Sequence, residues 1–223
     1  MFRMMVIFLI LPGVSYGSKS GPLPSQIPVP NNTKILSSIP EKTIKIGSWV
    51  SYQIRDLRKN KKYSIRIAFV GREDAGRKTW IEVTLKGIGK TIYLKMLFKG
   101  KPGQQMGDPE ETIVKFGKMY AMRLPTAKHP DSIVPVLFRK PLKKPKVVGK
   151  MDVRTSAGIF PGALKVKGVD ADGNIVEMYH HKNVKLWGML KFSDSKFEME
   201  LTGQGLGARS RINEKPAPFM MPR

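Results

Sequence analysis

The chain contains no cysteine. Without thiols there is no disulfide framework, so the folded state rests on its apolar core alone. Thiolate metal sites and cysteine nucleophiles are excluded with it, and so is the lipidated cysteine that anchors bacterial lipoproteins. Acidic residues are scarce, 17 Asp and Glu against 40 Lys and Arg, for a formal net charge of +23. Such a surface attracts polyanions and holds copies of itself apart. Histidine is nearly absent too, with only His129, His180 and His181. Adjacent residues on a strand point to opposite faces, so His180 and His181 do not chelate one ion together. No H-E-x-x-H helix and no acidic cluster at ligand spacing accompanies them, and neither a metal nor another cofactor is expected. There is no G-x-S-x-G elbow either. No catalytic residue is assigned, and the chain reads as a non-enzyme.

Long hydrophobic runs are also missing. The longest, Met4 to Leu11, follows Arg3 and precedes Pro12 and Gly13. It is too short for a membrane span, which needs roughly 20 apolar residues. Ser15-Tyr16-Gly17 puts small residues at the −3 and −1 positions of a cut before Ser18. That three-part layout is a secretory signal over residues 1–17, and it places the protein in the periplasm or outside the cell. Residues 18–42, with Pro22, Pro24, Pro28 and Pro30, read as a flexible Pro/Ser-rich leader. One β-rich domain is expected over 43–210, with a frayed tail at 211–223.

Within that domain the apolar pattern has a period of two. Ile44, Ile46, Val50, Tyr52 and Ile54 fall on one side, and so do Tyr63, Ile65, Ile67 and Phe69 in the next segment. Ile81, Val83 and Leu85, then Ile92, Leu94, Met96 and Phe98, repeat the pattern against Glu82, Thr84, Lys86, Lys95 and Lys99. Alternation of this kind marks half-buried antiparallel strands. The breaks between them, 56–61, 71–76 and 87–89, have hairpin lengths. Further strands are expected around 147–154, 160–169, 174–179, 184–192 and 196–202, with Asp172-Gly173 as a two-residue turn. Residues 139–146 read as a linker or a helix boundary. The expected fold class is mainly β: an antiparallel meander forming a curved sheet, half-barrel or barrel, with few or no helices.

Two loops approach known ligand motifs and miss. Gly71 to Thr79 has the glycine spacing of a phosphate loop, but Arg77 intervenes and a strand follows where a helix is needed. Asp170 to Asn174 opens like a calcium loop, yet its glycine is at position four. Both are turns. The basic residues carry more information. Lys45, Arg55, Arg66, Lys86, Lys95 and Lys99 fall on the polar side of the first strands, as candidate anion contacts. Outward lysines also keep strand edges from aggregating. Trp49, Trp80 and Trp187 are candidate ligand-surface aromatics, or else pack beneath loops. No signature of specific nucleic-acid binding accompanies the charge.

Four segments carry a resemblance: Gly47-Ser48-Trp49-Val50-Ser51-Tyr52, Val153-Arg154-Thr155-Ser156-Ala157-Gly158-Ile159-Phe160, Leu186-Trp187-Gly188-Met189-Leu190-Lys191 and Leu201-Thr202-Gly203-Gln204-Gly205. They are similar to uncharacterised exported bacterial β-rich proteins with folds akin to the periplasmic lipoprotein carriers of Lol type. The resemblance implies a curved antiparallel sheet, which in the carriers shelters acyl chains beneath helices. This chain departs from them in having no clear covering helices, so no binding residue is carried over. Two expectations follow for a non-enzymatic exported protein of the envelope. In one, it binds or carries an apolar or amphiphilic ligand such as a lipid or acyl chain. In the other, its basic face binds anionic envelope polymer or lipopolysaccharide.

Overall fold

A computed structural model of the chain describes residues 44–87, 89–100, 108–124, 143–170 and 173–218. The segments read as signal and leader, His129 and Asp172 lie outside the described residues.

The first meander comprises β1 (Trp49–Asp56), β2 (Lys61–Glu73), β3 (Lys78–Lys86), β4 (Ile92–Lys99), β5 (Glu111–Phe116) and β6 (Met122–Leu124). The second comprises β7 (Lys143–Thr155), β8 (Gly158–Val169), β9 (Ile175–His180), β10 (Met189–Ser193) and β11 (Phe197–Gly205). β11 returns to pair antiparallel with β1, which fuses the two meanders. A short β12 (Ala217–Pro218) adds in parallel to β6. The result is one 12-stranded sheet in the order β12-β6-β5-β4-β3-β2-β1-β11-β10-β9-β8-β7. It does not close into a barrel. The only helical element among the described residues is the 3-10 turn Asp74–Gly76.

Register explains why the alternating pattern suffices to build this sheet. Tyr52, Ile65, Leu85, Ile92 and Phe116 are successive cross-strand partners, so one row of apolar side chains runs across β1 to β5. Slipping any strand by one residue would turn its whole apolar set outward. The inner face is filled by large side chains with almost no exposure, among them Tyr52, Phe69, Phe98, Phe192 and Phe197. Each contributes about 2 kcal/mol by leaving water. The Tyr52 hydroxyl donates to the Met189 carbonyl of β10 at 3.1 Å, and burial pushes its pKa well up.

The sheet curls at its β7 end. The turn between β7 and β8 reaches past β9 and β10 to β11, where the Ser156 backbone N–H and hydroxyl donate to Glu200 at 2.9 and 3.1 Å. β7 begins at Lys143, not at Val147, so residues 143–146 of the segment read as a linker belong to the strand. A register shift between Lys143 and Lys146 accommodates Pro145, as an outermost strand allows.

Two expectations from alternation fail. Ile46, grouped with the buried side of β1, is 57% exposed, because it lies in the turn before the strand begins. Glu82, assigned to the solvated side of β3, is only 3% exposed. One feature buries Glu82 and gives residues 211–218 of the segment read as a frayed tail fixed partners. Residues 206–218 run across the outer face of β1 to β6 as a strap. Leu206 accepts a hydrogen bond from the Trp49 indole at 3.3 Å. The Arg211 N–H and Ser210 hydroxyl donate to the Glu82 carboxylate at 2.8 Å each. Lys95 donates to the Ile212 carbonyl at 3.3 Å, and β12 then pairs with β6. Ile212 itself is buried with Ile113 and Ala121 in a second, smaller core against Trp80 and Tyr93.

Candidate functional site

In an antiparallel meander, alternate turns open at the same end. The β1–β2, β3–β4 and β5–β6 turns therefore share one end of the sheet, and the β2–β3 and β4–β5 connections share the other. The shared end of the first three is strongly basic.

The sequence dictates each turn. In the first, buried Asp56 accepts from the backbone N–H groups of Arg58 and Lys59 at 3.0 Å, and Asn60 takes the left-handed conformation (φ +48°) that lets the chain reverse. In the second, Gly87 has φ +95°, and a Cβ there would meet the Lys62 carbonyl oxygen at 2.8 Å, so only glycine brings this turn against β2. In the third, the Met119 N–H closes on the Phe116 carbonyl at 2.9 Å.

These turns carry Arg58, Lys59, Lys61 and Lys62, then Lys86 and Lys90, then Lys118, all exposed. Arg58 lies 4.0 Å from Asp56 and stacks over Phe197 at 5.7 Å. The other six have no ion pair among the described residues. Asp56 is the one carboxylate built into the first turn, and its Oδ1 is occupied by the turn's own N–H groups.

Several cations elsewhere are compensated. At the opposite end Lys78 and Lys99 both reach Glu110, at 2.8 and 3.1 Å, and Arg77 pairs with Asp74. Hydrogen bonds from Lys78 and Lys99 hold the Glu110 carboxyl below its usual range. On the outer face of β8 to β11, Lys165 and Lys167 share Glu177, and Lys191 reaches Glu200 at 3.2 Å. Exposed pairs of this kind add little stability, but they cancel charge locally. Unpaired cations gathered on neighbouring turns add their fields within a Debye length of about 8 Å.

The candidate anion contacts are dispersed. Lys86 belongs to the basic end, and Arg55 stands beside it, pairing with Glu198 at 3.8 Å. Lys45 precedes β1 at the other end, where Lys99 is tied to Glu110. Arg66 and Lys95 face the strap. Arg66 stacks on Trp49 at 4.5 Å, and Lys95 lies over Trp80 at 5.1 Å. The tryptophans are all engaged internally. Trp49 packs flat on Gly203 and Gly205, where added Cβ atoms would come within 3.4 and 3.0 Å of its ring. Trp80 donates to Glu73 at 2.6 Å, and Trp187 is buried in the main core. Sequence reasoning missed Lys59, Lys61, Lys62, Lys90 and Lys118. The signal for most of them was the run Arg58-Lys59-Asn60-Lys61-Lys62, read only as a turn.

His180 is the remaining titratable side chain of note. It is 5% exposed, and its Nε2 has no hydrogen-bond partner. Burial lowers its pKa to about 4, against a hydrogen bond with the Trp187 backbone that acts the other way. Phe160 packs edge-on to the neighbouring His181, not to His180.

No protein-family model matches the chain, and no curated protein matches it in sequence. By structure it is similar to MucB in its complex with MucA(peri), at 11% identity over 82% of this chain and 58% of that one, with a TM-score of 0.47. The Pseudomonas aeruginosa MucA/MucB complex gives 10% identity over 80% and 58%, with a TM-score of 0.38. A Bacteroides fragilis protein with a YmcC-like fold gives 11% identity over 73% of this chain and 97% of that one, with a TM-score of 0.42. The chain thus spans 58% of the MucB length. At these identities and TM-scores none of the likenesses bears on function.

Proposed function

We propose that this is a non-enzymatic exported protein of the bacterial envelope that binds a phosphate-bearing anionic envelope component through the basic end of its sheet. The observation that carries this reading is the asymmetry of charge. Lys59, Lys61, Lys62, Lys86, Lys90 and Lys118 gather on three adjacent turns with no ion pair among the described residues, while Lys78 and Lys99 at the opposite end and Lys165 and Lys167 on the outer face are met by carboxylates. The export assignment rests on the signal-like segment 1–17. A carrier that shelters an acyl chain within the sheet is the less favoured alternative. Tyr52, Phe69, Phe98, Phe192 and Phe197 already bury one another on the inner face, and a chain would have to displace them.

The test compares two variants of equal net charge in binding to lipopolysaccharide. Lys59→Glu, Lys61→Glu and Lys62→Glu together are expected to weaken binding about a hundredfold or more, since each lysine near an anionic surface contributes about 1 kcal/mol. Lys45→Glu, Lys182→Glu and Arg209→Glu, exposed positions away from that end, are expected to weaken it only severalfold. Equal losses in both variants would show that net charge acts without a located site. Binding by the native protein should also weaken steeply with salt, as ion release requires.

A further inference from the structure

The basic end also carries bare apolar side chains at its tips. Leu57 is 38% exposed, Met119 40% and Tyr120 86%. Leu57 opens the β1–β2 turn beside Arg58 and Lys59, and Met119 and Tyr120 follow Lys118 in the β5–β6 turn. Single exposed apolar residues are ordinary on protein surfaces. Here three are interleaved with lysines that have no ion pair among the described residues, on turns that face one way.

Resting on the anion-binding reading above, we propose that the ligand is the surface of an anionic lipid bilayer, with Leu57, Met119 and Tyr120 entering its headgroup region. Lysines alone suffice for a soluble polyanion, and apolar tips add nothing to that contact. At a bilayer surface the two kinds of group are complementary. The cations meet lipid phosphates, apolar side chains enter the acyl boundary, and tyrosine sits at headgroup level with its ring down and its hydroxyl up.

The register sets the approach. Above the row from Tyr52 to Phe116, β1 continues through Asp56 before turning, whereas β5 turns at once. The β1–β2 tip therefore stands about 13 Å further out along the strands than the β5–β6 tip, across roughly 19 Å of sheet. A flat surface touching both tips meets the strands obliquely. The opposite end, with Glu73, Asp74, Asp108 and Glu110, is then turned away from the lipid, so the charge distribution itself orients the molecule.

The test uses the full chain and two probes: vesicles of equal parts phosphatidylglycerol and phosphatidylcholine, and soluble polyphosphate. Leu57→Ser, Met119→Ser and Tyr120→Ser in one variant leave every charge and the core untouched. This variant is expected to lose about tenfold or more in vesicle affinity, as interfacial binding scales with the apolar area buried, while its polyphosphate affinity is unchanged. If it binds vesicles as the native protein does, while the triple Lys→Glu variant at 59, 61 and 62 does not, bilayer insertion is overturned and the basic site stands. If the triple Lys→Glu variant matches the native protein on both probes, both readings fall. Pure phosphatidylcholine vesicles should not sediment the protein; equal binding to them would also overturn the proposal.

Discussion

Replacing Glu82 by alanine is expected to lower stability by about 3 kcal/mol and to release the strap at 206–218. The carboxylate is almost wholly enclosed and accepts from the Arg211 N–H through both oxygens, at 3.0 and 2.8 Å, and from the Ser210 hydroxyl at 2.8 Å. Hydrogen bonds to a charged acceptor are the stronger kind, and removing the acceptor leaves buried donors unpaired. Its neighbours then lose their reason for their positions. Lys95, directly opposite on β4, donates to the next residue of the strap, and Arg66 and Arg211 lose the negative charge between them. Glu82→Gln keeps an acceptor and should cost less. Denaturant titration gives the stability, and amide exchange at Arg211 and Ile212 reports the strap. Unchanged protection of those amides in Glu82→Ala would contradict the account, because the strap would then be held by something other than this carboxylate.

A second large effect is expected from acid. His180 is buried in an apolar setting with its Nε2 unpaired, and burial lowers its folded-state pKa to about 4 from an ordinary 6.5. The neutral ring is the form the fold accepts, whereas the unfolded chain takes up a proton below pH 6.5. Stability is therefore highest above that pH and falls by about 1.4 kcal/mol per unit as pH drops from 6.5 towards 4, for a total of about 3 kcal/mol. His180→Phe removes both the proton site and the orphaned nitrogen. It should match or exceed the native stability at pH 7 and flatten the dependence between pH 6.5 and 5, above the range where carboxylates titrate. A native profile flat over that interval, or an equally steep one in His180→Phe, would show that the ring is not the group responsible.

The fold was legible where one residue speaks for its neighbours. Period-two alternation from Val50 to Phe98 marks four strands and their inner face, because a half-buried strand tolerates no other pattern. Asp56 with Asn60, and Gly87 with Gly89, mark the turns, because few residues cap a reversal or accept positive φ. The strap was not legible. Alternation correctly puts Glu82 outside, but an outward position says nothing of what covers it. The covering segment, Arg209 to Pro216, has the composition of a solvated tail except for Ile212. The basic end was half legible. Its lysines stand in plain sight at 58–62, and the parity of the turns says which of them share an end. Which lysines elsewhere are neutralised depends on register, as with Lys165 and Lys167 meeting Glu177 across β8 and β9, and alternation alone does not fix register between distant strands.

The account's central claim is the location of the anion site, and an amide chemical-shift map tests it most directly. Isotope-labelled protein would be titrated with a short-chain phosphatidylglycerol below its micelle concentration, at low and at raised salt. The expected result is a continuous set of shifts over residues 57–62, 86–90 and 117–120 that fades as salt increases. Shifts centred on the outer-face lysines of β8 to β10, or on the inner-face amides of Tyr52, Phe98 and Phe192, would contradict it. The first would place the site on a face of paired charges, and the second would restore the carrier.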